Sequence, residues 1–416
     1  IVDGVDHMGW VVAGEGGAAI VAASRLGEPV SALAVEGAAG EAAWRGIPVV
    51  PVDGLEGPGG ATGVLLVEAE DPTRETVRTW AAAHRLPLVE REPEQVEPPE
   101  GVRVLAVSGP GTGVGKTPVV AKLARILRMS GVQVAVLRHP VATLLGWPSL
   151  AEVRVVRGTD GLGDGPLDEA EELAPVLAMG APVVSGTEPE PMLAGAAELA
   201  PVVVWDGGGA ARPWVRPRMS VVVVDAFKPP TDQAELRIAA ADAVVIAKSD
   251  TAPPDLVNAW ERAIADRNPG ASVTLADMPV GVPEGMRLRR RDVAVVEDWS
   301  ALVLGGHTAG AGAVVARRWA CRVIDPRPFA VGAVAEVLRR HPHIGPVVPS
   351  MGRTGAEQED LAETLAAMPA EVVLWASTAA PVPIAGKPVV RAYPEVMEVA
   401  GTSLQDVVRP LLPGYD

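Results

Sequence analysis

Cysteine is almost absent from this chain. Cys321 stands alone among 416 residues, so no internal disulfide can form, and a reducing, cytoplasmic setting is expected. Aromatic residues are scarce as well, 3% in all, with 10 Trp against 2 Tyr and 2 Phe, which leaves Val, Leu and Ala to build the cores. No apolar run approaches the roughly 20 residues of a membrane helix. No basic segment followed by an apolar stretch opens the chain, so no secretory leader is expected. Positive charge is in deficit too: 52 acidic residues against 36 basic ones leave a net charge of −16, which argues against a nucleic-acid partner. Lysine is rarest, with only Lys116, Lys122, Lys228, Lys248 and Lys387. Where arginine carries nearly all the positive charge, a retained lysine marks a candidate site for a compact ammonium.

What is present is the balance of a globular protein, 48% apolar and 21% charged. Short Val-rich runs bounded by Gly, Asp and Pro alternate with Ala/Leu/Glu-rich stretches of helical period, the pattern of α/β architecture with mainly parallel strands. Three units are expected: an N-terminal α/β domain over 1–95, a core over 102–291 and a C-terminal α/β domain over 292–416. A Pro/Glu-rich segment, Glu90 to Gly101, reads as a solvated linker. Strands are expected at VRVLAV, VQVAVL, PVVVW, SVVVV and DAVVIA in the core. VAVVE, CRVID, GPVVP, EVVLW and PVVRA are the candidates beyond it.

VRVLAV runs into Ser108-Gly109-Pro110-Gly111-Thr112-Gly113-Val114-Gly115-Lys116-Thr117, and then into a segment with Val119, Val120, Leu123, Ile126 and Leu127 on one helical face. A glycine-rich turn between a buried strand and a helix N-terminus is a phosphate loop: backbone amides and the helix dipole favour phosphate oxygens. Lys116 would bridge the β- and γ-phosphates of ATP, and the Thr117 hydroxyl would hold Mg2+. The common spacing puts a glycine where this chain has Pro110. The loop instead resembles that of dethiobiotin synthetase and its relatives, with the first glycine one place earlier. A P-loop NTPase core flanked by two α/β domains is therefore the expected fold.

Asp206, ending PVVVWD, reads as the metal-side carboxylate. Lys248 and Asp250, after VVIA, read as a base-side pair, with Ala247 where guanine-selective proteins carry Asn. Arg138 and His139 follow a strand at the sheet edge where ligands collect. Arg212, Arg216 and Arg218 lie within seven residues and suggest a polyanion clamp. His341 and His343 are expected to pack or face solvent, His7 to be structural, and Cys321 to be buried and inert.

VLRHP, VVVWDGG, AKSDTA, IDPRPFAVG and HPHIGPVVPSMG together resemble cyclic 2,3-diphosphoglycerate synthetase, and so does the opening IVDGVDHMGWVV. The resemblance runs over nearly the whole chain. It implies a cytoplasmic, homodimeric, ATP- and Mg2+-dependent ligase. That ligase closes a phosphoanhydride ring on 2,3-bisphosphoglycerate, a small anionic phosphorylated substrate, with release of ADP and phosphate. By position, Lys116, Thr117 and Asp206 would serve nucleotide and metal, and Arg138 and His139 the substrate, with Arg327 and Arg391 as further substrate candidates. Two segments depart from the pattern. The family's Asn-Asn-Asp after W-D-G-G is Gly209-Ala210-Ala211 here. Its E-D-G-P-T-L-T-H-G-G segment appears as Glu297 to Gly306 without the Thr and His, and His307, displaced by three residues, is not taken as a substitute. The alternatives are a P-loop switch or chaperone acting on a protein partner, and an anhydride-forming ligase on another small acid.

Overall fold

The computed structural model describes residues 9–414 apart from 15–18, 20–21, 24–25, 27, 36–41, 45–46, 56–59, 68–70, 92–94, 112, 139–152, 159–161, 163–166, 187, 208–210, 250, 283 and 353. Thr112, His139 and Asp250 therefore lie outside the described residues, as do His7 and the stretch 208–210 after Asp206.

Val-rich runs become strands buried on both faces. In the N-terminal sheet the order is Ala42–Trp44, Ile47–Pro51, Val30–Val35, Gly9–Gly14, Ala61–Val67 and Leu88–Arg91. Every neighbour pair is parallel except the first, which is antiparallel. Val12, Leu33 and Leu65 pack on one face, and Val11, Val64 and Leu66 on the other beneath Val77 and Trp80 of the helix Asp71–Ala83.

The central sheet has nine strands, ordered Met397–Gly401, Ser272–Asp277, Ala243–Ala247, Met219–Asp225, Arg103–Ser108, Val202–Asp206, Val134–Arg138, Val183–Ser185 and Arg154–Val156. The inner seven are parallel, and the two edge strands run antiparallel to their neighbours. The runs at the centre of the sheet are almost wholly apolar because helices cover both faces. Leu105, Val136, Val204, Val223 and Val245 pack under Val119, Val120, Leu123 and Leu127 of the helix Lys116–Met129. The edge strand Met397–Gly401 comes from the far end of the chain. Leu404, Val407 and Leu411 follow it into the same core, so the last residues of the segment 292–416 belong to the central sheet.

The Pro/Glu-rich segment is not wholly solvated. Val96 bridges Val215, donating to the Trp214 carbonyl at 2.7 Å and accepting from the Arg216 amide at 2.8 Å. Val96 supplies the reason, since it packs against the core formed by Trp205 and Trp214.

The third sheet is parallel throughout: Arg322–Val323, Asp292–Asp298, Val372–Trp375 and Val389–Arg391 in order, with Val348–Ser350 paired to the last residues of Asp292–Asp298. A π turn, Ser300–Leu304, leaves its carboxyl edge directly after Asp298 and Trp299. No helix among the described residues is long and apolar enough to cross a membrane.

Candidate functional site

Parallel strands deliver their last residues to one edge, and here two such edges meet. In the central sheet the loop strand Arg103–Ser108 lies between Val202–Asp206 and Met219–Asp225. Asp206 and Asp225 therefore flank the phosphate loop, both almost fully buried. The sequence reading named Asp206 and missed Asp225, although VVVVD repeats the signal of VVVWD: an apolar strand that ends in a carboxylate.

The loop is shaped by its glycines. Gly109 passes so close to the neighbouring strand that a Cβ would lie 2.6 Å from the Val223 carbonyl oxygen, which explains why the early glycine stands there. Gly113 has φ +77°, a conformation that side chains rarely adopt. Val114 buries its side chain in the core and can offer a ligand only its backbone. The helix begins at Lys116 with Gly115 as N-cap. Lys116 is buried, and its Nζ folds onto the Gly111 carbonyl at 2.5 Å, a position from which an incoming phosphate could take the ammonium. Thr117 lies in the helix's first turn.

Register brings Arg138 beside Asp206, since the two residues are partners on adjacent parallel strands. The Arg138 Nη1 lies 2.9 Å from Asp206 Oδ2, with both side chains buried. Burial raises the Asp206 pKa, opposed by the charges of Arg138 and Lys116 and by the Arg138 hydrogen bond.

Lys248 reaches the loop itself. Register sets Ala247 opposite Asp225, and φ of +63° at Lys248 turns the chain back. Its Nζ therefore donates to Asp225 Oδ2 at 2.6 Å and to the Gly113 carbonyl at 2.8 Å. It braces the phosphate loop from behind.

The arginine cluster is a correction. The Arg218 amide donates to the Val104 carbonyl, and Arg216 pairs with Glu97 at 3.1 Å. Both belong to the amino edge of the sheet, a full strand length from the loop, while Arg212 is half-buried in the segment that crosses there. A clamp on the reacting phosphates is ruled out for Arg216 and Arg218.

The second edge is that of the C-terminal sheet. Arg391 ends a strand there and its Nη2 donates to the Ala379 carbonyl at 3.1 Å. Arg327 follows Arg322–Val323, ordered by Asp325, which accepts from the Arg327 amide at 3.0 Å and from its Nη1 at 3.1 Å. Glu297 and Asp298 stand between them. Glu297 accepts from the Gly310 amide at 3.1 Å and the Ala313 amide at 2.9 Å, yet burial pushes its carboxyl up to about 7. Asp298 accepts from the Thr378 amide at 3.1 Å, and burial raises it to about 6.

Glu171, on the central unit's helix Leu167–Ala178, pins this edge in place. Its Oε1 accepts from the Ser377 hydroxyl at 3.0 Å, from the Ser350 hydroxyl and from the Trp299 amide at 3.4 Å. Nothing in the sequence singled it out, because its three partners come from distant segments. The edge also reaches the phosphate loop. His307, just beyond the π turn, puts its Nε2 where a Gly113 Cβ would be 2.8 Å away. The displaced histidine thus does reach the glycine-rich loop.

His341 and His343 pack as expected: His343 Nε2 lies 3.0 Å from the Leu302 carbonyl oxygen, with the His341 ring edge-on at 5.7 Å. Cys321 is half-exposed rather than buried, its Sγ 3.1 Å from the Leu288 carbonyl oxygen, and partial burial raises its thiol pKa.

A pH dependence follows from Glu297. Its folded pKa, about 7, lies above its ordinary 4.5, so the folded state holds the proton more tightly. The stability this contributes is present below the unfolded pKa and lost as pH rises through about 7. Urea unfolding should give a stability lower by up to about 3 kcal/mol at about pH 8 than at about pH 5 from this group. Glu297→Gln, which keeps an acceptor for both amides, should flatten that slope, and an unchanged slope would contradict the assignment.

Fold and loop together define an α/β protein built on a P-loop core. The chain is similar to arginine synthetase ArcE of Thermococcus kodakarensis, at 32% identity over 319 residues, 73% of this chain and 70% of that protein. It belongs to that family. No protein-family model matches the chain. Among solved structures, LpxK of Aquifex aeolicus, crystallised in complex with ATP, is similar with a TM-score of 0.41 and 15% identity, over 76% of this chain and 89% of that one. A DUF1611 family protein of Anabaena variabilis reaches a TM-score of 0.18 at 12% identity, over 64% of this chain and 87% of that one.

Proposed function

We propose that this protein is an ATP-dependent synthetase. It would pass the γ-phosphoryl group to an oxygen of a small zwitterionic acceptor and let an amine displace the phosphate. The observation that carries the reading is the meeting of the phosphate loop with the carboxyl edge of the C-terminal sheet, through His307 and Gly113. A terminal phosphate on the loop would face that second edge.

The loop amides, Lys116 and the helix N-terminus would hold the triphosphate. Mg2+ fits the residues present: Asp206 Oδ1 is buried with no hydrogen-bond partner among the described residues, and Asp206 and Thr117 would hold the ion. When bound it neutralises charge on the phosphate oxygens. The protein's own work is to hold charged groups in line and keep water out.

Acceptor chemistry is suggested by the charges on the second edge. Arg327 and Arg391 stand there with Asp298, one sign for each end of an amino acid. The family relative is named for arginine synthesis, and a guanidinium can be made from a ureido group by this route. Phosphorylation of the ureido oxygen releases ADP, ammonia adds to the carbon, and inorganic phosphate leaves with that oxygen. The phosphoanhydride reading on 2,3-bisphosphoglycerate is the second candidate, supported by the R-H-P, W-D-G-G and D-P-R-P segments. The buried Asp298 carboxylate beside a bisphosphate opposes it.

Incubation with ATP, Mg2+, L-citrulline and ammonium, in parallel with ATP, Mg2+ and 2,3-bisphosphoglycerate, separates the two when followed by 31P resonances and product analysis. ADP release that requires the ureido acid and ammonium is the expected result. A ring product from the bisphosphate would establish the second reading. Slow phosphate release indifferent to both acceptors would overturn the synthetase.

A further inference from the structure

His307 carries the C-terminal unit to the phosphate loop, and its position is fixed by its surroundings. It follows the π turn Ser300–Leu304 and two glycines, the second with φ +63°. Its amide donates to the Ala301 carbonyl at 3.2 Å. The turn itself is held by Leu302, which is fully buried and whose carbonyl faces His343. Gly113 leaves the space into which the imidazole fits: a Cβ there would lie 2.8 Å from Nε2 and 3.4 Å from Cε1. The Gly113 carbonyl is already taken by Lys248. The Nε2 atom is buried and has no hydrogen-bond partner among the described residues, a state that costs free energy unless a ligand completes it.

We propose that His307 Nε2 donates a hydrogen bond to the terminal phosphate of the bound nucleotide, so that the C-terminal unit distinguishes a triphosphate from a diphosphate. This rests on the reading of the loop as an ATP site. It adds a recognition residue contributed by the unit that carries the acceptor edge. The neighbouring charged groups suit the role. Burial, then the charges of Lys248 and Lys228, depress the imidazole pKa to about 4 against the opposing pull of Asp225. The ring is therefore neutral near pH 7 and carries one N–H, which can sit at Nε2. A neutral donor adds a directed contact for the γ-phosphate without adding a third cation to the two lysines.

The test is binding of a non-hydrolysable ATP analogue and of ADP, each with Mg2+, to the full chain and to His307→Ala and His307→Gln, measured by calorimetry. His307→Ala should weaken the ATP analogue about tenfold, the loss expected for one hydrogen bond to a charged group, and leave ADP affinity essentially unchanged. His307→Gln, whose amide N–H can reach a similar point, should recover most of that loss. Equal weakening of both nucleotides, or no weakening of either, would overturn the role while leaving the ATP site standing. A wild-type chain that binds neither nucleotide would remove the ATP site and this proposal with it.

Discussion

Replacing Lys116 with alanine is expected to lower nucleotide turnover by about a hundred- to a thousandfold, the scale on which removal of a single preorganised charge-stabilising donor acts. The side chain is buried at the head of the helix and folded onto Gly111. In that position its hydrogen bond goes to the loop's own backbone, and its charge helps to keep the buried Asp206 ionised. The fold should survive with wild-type circular dichroism and a somewhat lower melting temperature, because Arg138 still pairs with Asp206. The loss should fall on kcat more than on analogue binding, because the ammonium neutralises charge that moves during transfer. Wild-type turnover in this variant would remove the phosphate loop from the chemistry.

The Arg138–Asp206 pair gives the second large effect. Two side chains this buried, 7% and 1% exposed and 2.9 Å apart, depend on each other. Removal of one partner leaves the other charge short of its counterion at a cost of about 3–5 kcal/mol. Asp206→Ala should lower stability by that order and stop turnover as well, because the same carboxylate is the proposed metal ligand. Exchanging both residues for apolar ones, Arg138→Met with Asp206→Leu, should restore most of the stability and none of the turnover. That contrast separates packing from chemistry, and urea unfolding beside ADP release reads it. Recovery of turnover in the double variant would show that the pair only holds strands together.

Much of the architecture was legible because parallel strands buried on both faces must be apolar throughout, and VLAV, VAVL, VVVW, VVVV and AVVIA stand out in a chain this rich in Gly and Pro. The short or antiparallel edge strands did not stand out: Arg154–Val156 and Met397–Gly401 have no comparable run. The return of the chain's end to the central sheet is set by tertiary packing of Leu404 and Leu411, not by a local signal. In the site, the phosphate loop was visible because its glycines, lysine and threonine are contiguous. What depends on register was not visible. The Arg138–Asp206 contact joins strands far apart in sequence, and the direction of Lys248 is decided by a left-handed backbone conformation. Arg212, Arg216 and Arg218 looked like a clamp because they follow Asp206. The chain, however, crosses to the other edge of the sheet before it reaches the last two of them. His307 was set aside for standing three places late, and the π turn before it carries it to the loop.

The central claim, transfer of the γ-phosphoryl group from the Gly109–Thr117 loop to an acceptor on the facing edge, is tested most directly by isotope transfer. With 18O in the ureido oxygen of citrulline and with ATP, Mg2+ and ammonium present, the released inorganic phosphate should carry the label, because the acceptor oxygen leaves with the phosphorus. Acceptor-stimulated phosphate release without any 18O, its new oxygen drawn from solvent water, would contradict it.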